Sequence, residues 1–414
     1  MCMGIYRVGL IGIGGFGRVH ARNILSLQKE GVLQCVAFAD PDVKRSLDTY
    51  ENLLEVGSKH YDSYTDLMEK HVDLDFLVIA TPIHLHKTMA IQALEKGFHV
   101  LLEKPPVVTV QDLNELIEVQ KRTQKKCVVN FQNTSGEAFR MLLDQIQKGV
   151  LGEITEVVGI GMWKRTNQYY ERSPWAGKCL VEGEFVLDGT LSNPFAHLVH
   201  NCLIVAGQGE ARNVEMKSIQ AELYKGHDID GEDTAAVRVK TKQETEIRIY
   251  TTLCNETGET PYILVKGSKG SAFWSYSNIL KVNADQEKTY VYEEKDSAAL
   301  TGNIYRNLLD VLSGGKEELY APIDFCRPFV LLLNGAYESS RGTYKIPDQY
   351  LDIRPEGDTV ATTLIHAKDI FDTAIQTGKL FSEIPVNWGI KTEPFNFQGY
   401  EHFPLSIKLT GGKN

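Results

Sequence analysis

Five short, nearly uninterrupted apolar runs open the chain, at 7–13, 34–39, 76–80, 99–102 and 127–131. Strands covered on both faces of a sheet read this way, because neither side has water to meet. Between the runs, 85–96 and 111–124 place apolar residues at helical spacing. Leu113, Leu116, Ile117 and Gln120 share one side of the second stretch, and Gly97 closes the first. This alternation predicts parallel strands joined by crossover helices, a doubly wound α/β sheet over residues 1–133.

Beyond residue 133 the pattern changes period. In 235–240, Val237 and Val239 face one way while Arg238 and Lys240 face the other; Ile247, Ile249, Thr251 and Leu253 resume the alternation after a polar turn at 241–244. That predicts an antiparallel hairpin with one solvated face. Strands at 154–163, 214–224 and 262–265 would extend it, with helices at 305–312, 327–339 and 359–377. Residues 134–414 are therefore expected to form a second, α+β domain, ending in a frayed tail at 409–414.

Composition narrows the function. The chain has 414 residues, 43% hydrophobic and 24% charged, the balance of a globular protein of two or three domains. Its net charge of -10 repels phosphate backbones and anionic lipid, so neither nucleic acid nor membrane is an expected partner. No apolar window reaches membrane-spanning length, and the stretch 8–16 is too glycine-broken for an export signal. Seven cysteines, an odd number without a Cys-x-x-Cys pair, read as reduced thiols and a cytoplasmic location.

The first apolar run leads into Gly12-Ile13-Gly14-Gly15-Phe16-Gly17 and a helix beginning near Arg18. Gly12 permits a tight turn, Gly14 lets backbone approach a pyrophosphate, and Gly17 lets the helix pack on the strand. The helix N-terminus adds positive dipole and N–H donors. Alone the motif is weak. It gains force because the next run ends in Asp40, at the spacing where a carboxylate receives the adenosine ribose hydroxyls. A carboxylate there repels a 2'-phosphate and favours NAD; Lys44 and Arg45 nearby keep NADP open, although an exposed helical turn would explain them equally.

Ligands of open parallel sheets bind outside the carboxyl ends of the strands. Two motifs stand there, Thr81-Pro82-Ile83-His84-Leu85-His86 and Glu103-Lys104-Pro105-Pro106. Pro105 restrains Lys104 to an extended conformation. Its ammonium could hold a substrate oxygen, stabilise developing alkoxide charge and help move the hydroxyl proton; an exposed lysine opening a helix is the competing explanation.

In that order, Gly12-x-Gly14-x-x-Gly17, Asp40, Ala80-Thr81-Pro82 with His84, and Glu103-Lys104-Pro105 resemble the Gfo/Idh/MocA oxidoreductases. The resemblance is firm over the first 130 residues and loose beyond. It implies an N-terminal Rossmann domain binding NAD(P) through Gly12, Gly14, Gly15, Phe16, Gly17, Asp40, Thr81, Pro82, His84, Glu103 and Lys104. It also implies a C-terminal α+β domain on an open, largely antiparallel sheet. The implied reaction is oxidation or reduction at a hydroxyl-bearing carbon of a sugar, cyclitol or related polyol. A homo-oligomer is implied as well, joined through the outer face of the second-domain sheet.

Many members carry an Asp-x-x-x-His pair on a helix facing the nicotinamide, with the histidine as acid or base. The corresponding segment here is Asn193-Pro194-Phe195-Ala196-His197. Asn193 keeps hydrogen-bonding capacity but lacks the charge that favours an imidazolium, so His197 is expected to protonate less readily. A hydrogen-bonded histidine on an apolar helix is the alternative. Lys104 and His197 are the catalytic candidates. His197 and His200, with Cys202 close by, share a helical face, but the local sequence supplies too few ligands, and no metal is expected.

Trp163, Tyr169, Tyr170, Arg172, Trp175 and Lys178 interleave rings with donors before that helix. With Lys104, Asn193 and His197 they are the substrate-binding candidates, suited to a hydroxylated ring; a subunit interface would use the same residue types. Three readings follow: a dehydrogenase, a glycosidase using NAD for transient oxidation, and a non-catalytic NAD-binding regulator. Retention of Lys104 and His197 argues against the last.

Overall fold

Six parallel strands build the first sheet: β1 (Tyr6–Ile11), β2 (Leu33–Ala39), β3 (Lys59–Tyr61), β4 (Phe76–Ile79), β5 (His99–Leu102) and β6 (Cys127–Val129), in the order β3-β2-β1-β4-β5-β6. This is the doubly wound order with its switch point between β1 and β4. The crossovers are α1 (Gly17–Lys29), α2 (Leu47–Glu55), α3 (Tyr64–Lys70), α4 (His86–Glu95) and α5 (Val110–Thr123). The computed structural model describes residues 5–315 and 318–404. Cys2 and the tail at 409–414 lie outside the described residues.

By compactness the chain forms two units. The first takes Met1–Val107, Asp112–Gly136 and Lys295–Asp324; the second takes Val108–Gln111, Glu137–Glu294 and Phe325–Asn414. A boundary at 133 follows chain order alone, whereas Lys295–Asp324 groups with the first unit. Its helix α9 (Ser297–Leu312) sends Ile304, Tyr305 and Leu308 into the same core as Ile24, Leu27, Phe76 and Val128. Val129 then donates its N–H to the Ala321 carbonyl at 2.9 Å. Each such fully buried side chain contributes on the order of 1.5–3 kcal/mol.

The second unit opens with α6 (Glu137–Gln147), β7 (Ile154–Met162), α7 (Asn167–Glu171), the short pair β8 (Leu180–Val181) and β9 (Glu184–Phe185), and α8 (Ala196–Ala206). Then come β10 (Met216–Lys225), β11 (Thr234–Thr241), β12 (Glu246–Thr252), β13 (Tyr262–Gly267), β14 (Ser271–Ser275), β15 (Ile279–Asn283) and β16 (Glu287–Val291). The remainder is α10 (Cys326–Ser340), β17 (Tyr344–Lys345), β18 (Leu351–Glu356), β19 (Thr359–Leu364), α11 (Ala367–Thr377) and β20 (Phe395–Asn396). The main sheet runs β16-β15-β14-β13-β7-β12-β11-β10-β17, with β20 beside β10. It is largely antiparallel; β7 with β12 and β10 with β17 are the parallel pairs.

On one face, α8 lies tight against β7 because Gly159 and Gly161 leave room for it. A Cβ at Gly159 would come within 2.6 Å of Cys202 Sγ, and one at Gly161 within 2.5 Å of the Phe195 ring. Cys202 is thus a packing residue. The opposite face corrects an expectation, since in the β11–β12 hairpin it is largely covered and only its end at Lys240 is exposed. Val158, Ile160, Tyr224, Ala236 and Tyr250 are buried there beneath Phe371, Phe381 and Trp388. The face looked polar in sequence because its charges are paired: Arg238 with Glu383 at 2.8 Å, and Arg248 with Glu156.

A second correction concerns 359–377. Only Ala367–Thr377 is helical; Thr359–Leu364, rich in β-branched residues, pairs antiparallel with β18. Strand β3 was missed because three residues carry no period. The six described cysteines are all buried, and none is in a disulfide. Among the described residues no helix is long and apolar enough to cross a membrane.

Candidate functional site

In the first unit the chain leaves β1 through Gly12, whose φ is +86° and whose added Cβ would strike the Ala80 carbonyl oxygen at 2.4 Å. A Cβ on Gly17 would meet the Gly12 oxygen at 2.3 Å. These two glycines are demanded by the turn itself. Gly14 and Gly15 differ: around a side chain there, the nearest atom is 3.8 Å away at Gly14 and nothing lies within 4 Å at Gly15. The middle of the loop is an open cradle at the N-terminus of α1, where Phe16 is the capping residue.

Asp40, just past β2, is aimed by two backbone donors. Ile13 N–H binds its Oδ2 and Asp42 N–H its Oδ1, both at 2.9 Å. The carboxylate is thereby fixed to the glycine loop, with lone pairs remaining for a ribose diol. Arg45 is exposed and pairs with Asp42 at 2.9 Å. The residues fit a dinucleotide: an open backbone cradle, a helix dipole and an oriented carboxylate adjoin.

The two motifs at the ends of β4 and β5 are tied by a histidine of the first motif to which the sequence reading gave no role. His86 is buried, its Nε2 facing the Thr81 carbonyl and its Nδ1 the Pro105 carbonyl, both at 2.8 Å. Thr81 Oγ1 also reaches Met89 Sδ at 3.5 Å, and His84 is half-buried beside Pro82. Glu103 is buried and turned inward. Its Oε1 accepts from His20 Nε2 at 2.8 Å and Asn130 Nδ2 at 2.6 Å, and its Oε2 from Lys104 N–H at 3.1 Å. Burial alone would push this carboxyl up, but the His20 and Asn130 hydrogen bonds and the Lys104 charge hold it below its ordinary value. His20 Nδ1 lies 2.9 Å from the Tyr305 hydroxyl, extending the chain of partners to α9. Lys104 is half-buried at the end of this network.

In the second unit, the aromatic segment forms a stack. The Arg172 guanidinium lies 3.9 Å from the Tyr169 ring centre and 4.9 Å from that of Trp175; Arg165 lies 4.9 Å from Trp163 and 5.2 Å from Tyr169. Tyr170 is turned instead toward His227, ring centres 4.8 Å apart, and Lys178 pairs with Asp230 at 3.5 Å. Trp163 packs on Phe195 at 4.5 Å, just ahead of α8.

Asp188 was not anticipated, and it changes the reading of Asn193. The Asn193 amide donates to Asp188 Oδ1 at 2.7 Å, while Arg172 and the Gly177 N–H hold Oδ2 at 3.3 and 2.7 Å. A carboxylate is therefore present beside position 193, supplied five residues upstream. Under it lies Glu232, buried, accepting from Tyr337 Oη at 2.7 Å and Leu191 N–H at 3.1 Å; burial pushes its carboxyl up to about 7. Gly189 makes room, since its Cβ would sit 2.0 Å from the Glu232 carboxylate. His197 and His200 are buried in α8, and burial pushes His200 down to about 3.

A family model described as an oxidoreductase family with an NAD-binding Rossmann fold matches residues 6–131. That model is of the Gfo/Idh/MocA oxidoreductases, which these residues match. A "Glycosyl hydrolase family 109 protein" of Shewanella baltica is 30% identical over 167 residues, 37% of this chain and 34% of that protein. The chain thus aligns with about a third of the length of such curated relatives. Across both units, the solved WlbA dehydrogenase of Bordetella pertussis, in complex with NADH and UDP-GlcNAcA, superposes with TM-score 0.66 at 22% identity, covering 81% of this chain and 97% of that one. A levoglucosan dehydrogenase in complex with NADH gives TM-score 0.68 at 17% identity, covering 81% and 96%. These likenesses show that the second unit shares its fold with those dehydrogenase structures.

Proposed function

We propose that the chain is an NAD-dependent oxidoreductase acting at a hydroxyl-bearing carbon of a sugar, cyclitol or related polyol. The observation that carries this is the cradle at Gly14–Gly15 with the Asp40 carboxylate locked beside it by Ile13 and Asp42 N–H. Asp40 favours NAD, because a 2'-phosphate would meet its charge. When bound, NAD supplies the hydride acceptor or donor.

The chain's own residues orient substrate and manage the proton. Lys104 holds the reacting oxygen, stabilising negative charge as the O–H bond breaks. The Glu103 network fixes the backbone from which Lys104 projects. In the second unit His197 is the second acid or base, and the Asp188–Asn193 pair anchors the turn that starts its helix. The ring stack of Trp163, Tyr169 and Trp175 offers apolar faces to a sugar ring, with Arg165 and Arg172 as donors. A homo-oligomer would have to join outside the patch where Phe371, Phe381 and Trp388 cover the sheet.

Thermal-shift titration with NAD and NADP, followed by absorbance assays over a polyol panel, tests the reading. NAD should raise the melting temperature and NADP less so. Lys104→Ala should abolish turnover while leaving that shift; no shift with either cofactor refutes the proposal. The likeness to glycosyl hydrolase family 109 proteins favours a second reading, glycoside cleavage through transient oxidation of a ring hydroxyl. Release of the aglycone without net NADH would select it.

A further inference from the structure

Next to the aromatic segment, the end of the large sheet in the second unit gathers His227, Asp233 and Cys254, none of which has been given a role above. They are the one group of three metal-ligating side chains among the described residues whose donor atoms all lie within 4.8 Å of one another, and all three are buried. His227 follows β10, Asp233 precedes β11, and Cys254 follows β12, so three strand ends converge on one point. Gly226 sits against it, where a Cβ would come to 3.0 Å from Cys254 Sγ.

The orientation of His227 carries the argument. Its Nε2 faces the Arg165 carbonyl at 3.0 Å, which can only accept, so this nitrogen is fixed as a donor. Nδ1 is thereby turned to the cluster. That atom faces Asp233 Oδ2 at 2.8 Å and Cys254 Sγ at 3.5 Å. At that separation either a proton or a metal ion stands between the imidazole and the carboxylate, and the thiol beside them adds a third ligand. A backbone carbonyl fixing one imidazole nitrogen while the other points at a shared centre is the outer-shell arrangement of metal-bound histidine.

We propose that His227, Asp233 and Cys254 bind a thiophilic divalent cation, zinc by their chemistry, as a structural site. One thiolate and one carboxylate balance the two positive charges, leaving the buried site neutral; the thiol proton is released to solvent on binding. Tetrahedral zinc with ordinary bond lengths puts N and O ligands about 3.3 Å apart and N and S ligands about 3.6 Å apart. The sulfur is thus already in place, and the carboxylate must retreat by roughly half an ångström. Asp233 is steadied by Gly226 and His227 N–H and by Thr234 Oγ1. Tyr170 borders the site: its ring adjoins His227, and its buried hydroxyl has no hydrogen-bond partner among the described residues. The site would staple Arg165 and Tyr170 to the sheet end.

The test uses the full chain purified without an affinity tag. Elemental analysis should find about one zinc per chain. Cobalt(II) exchanged into the site should give tetrahedral visible bands and a thiolate charge-transfer band. Cys254→Ser should lose that band and His227→Gln should lose the metal, while Cys179→Ala keeps both. Should a variant fail to fold, the wild-type protein decides alone. Zinc below about a tenth of an ion per chain together with no charge-transfer band on adding cobalt overturns the proposal, as does a band that survives Cys254→Ser.

Discussion

Acid should destabilise the second unit through one side chain, His200. It lies in α8 with 0% exposure, and burial lowers its imidazole from 6.5 to about 3. The folded chain therefore keeps His200 neutral where the unfolded chain takes up a proton, and stability present above pH 6.5 is lost as pH falls toward 3. Between pH 7 and pH 5 that difference amounts to about 2 kcal/mol. His200→Gln removes the titration while approximating the volume. Any packing cost of the substitution is the same at every pH, so the readout is the change in slope. Urea unfolding and calorimetry at several pH values between these limits should show the parent losing about 2 kcal/mol more than the variant. Parallel pH profiles would show that His200 is not held neutral by burial, and the reasoning fails.

Gly17→Ala, whose Cβ would press 2.3 Å from the Gly12 oxygen, should cost about 1–3 kcal/mol and abolish the melting shift with NAD. Gly15→Ala, in open space at φ +50°, should still fold at a cost of about 1 kcal/mol. Asn193→Asp would set a second carboxylate against Asp188 Oδ1, where the amide now sits at 2.7 Å. The pair should share a proton, and a pH–rate profile should gain a new decline toward high pH that the parent lacks. Phe381→Ala removes a fully buried ring packed among Tyr224, Tyr250, Phe371 and Trp388 and should cost about 3–5 kcal/mol in urea unfolding.

The first sheet was legible because a strand covered on both faces announces itself within its own few residues. The glycine loop, Asp40 and Lys104 were legible as candidates for the same local reason. What escaped depends on distant partners. Nothing near Tyr305 says that its hydroxyl meets His20, and nothing near Asp188 says that it will sit against Asn193 and Arg172. His86 stood within a noticed motif, yet its bracing of Pro105 needs two loops folded together. The hairpin at β11 and β12 misled because a paired arginine looks the same in sequence as a solvated one.

The return of Lys295–Asp324 to the first unit bears on how the chain is made. A ribosome that has delivered the six strands has not yet delivered Ile304, Tyr305 or Leu308, which complete their core. At roughly 5–20 residues per second, the nascent polypeptide waits on the order of ten to forty seconds with that apolar flank bare. Chaperone occupancy during synthesis should therefore peak in this interval and fall once Asp324 clears the exit tunnel.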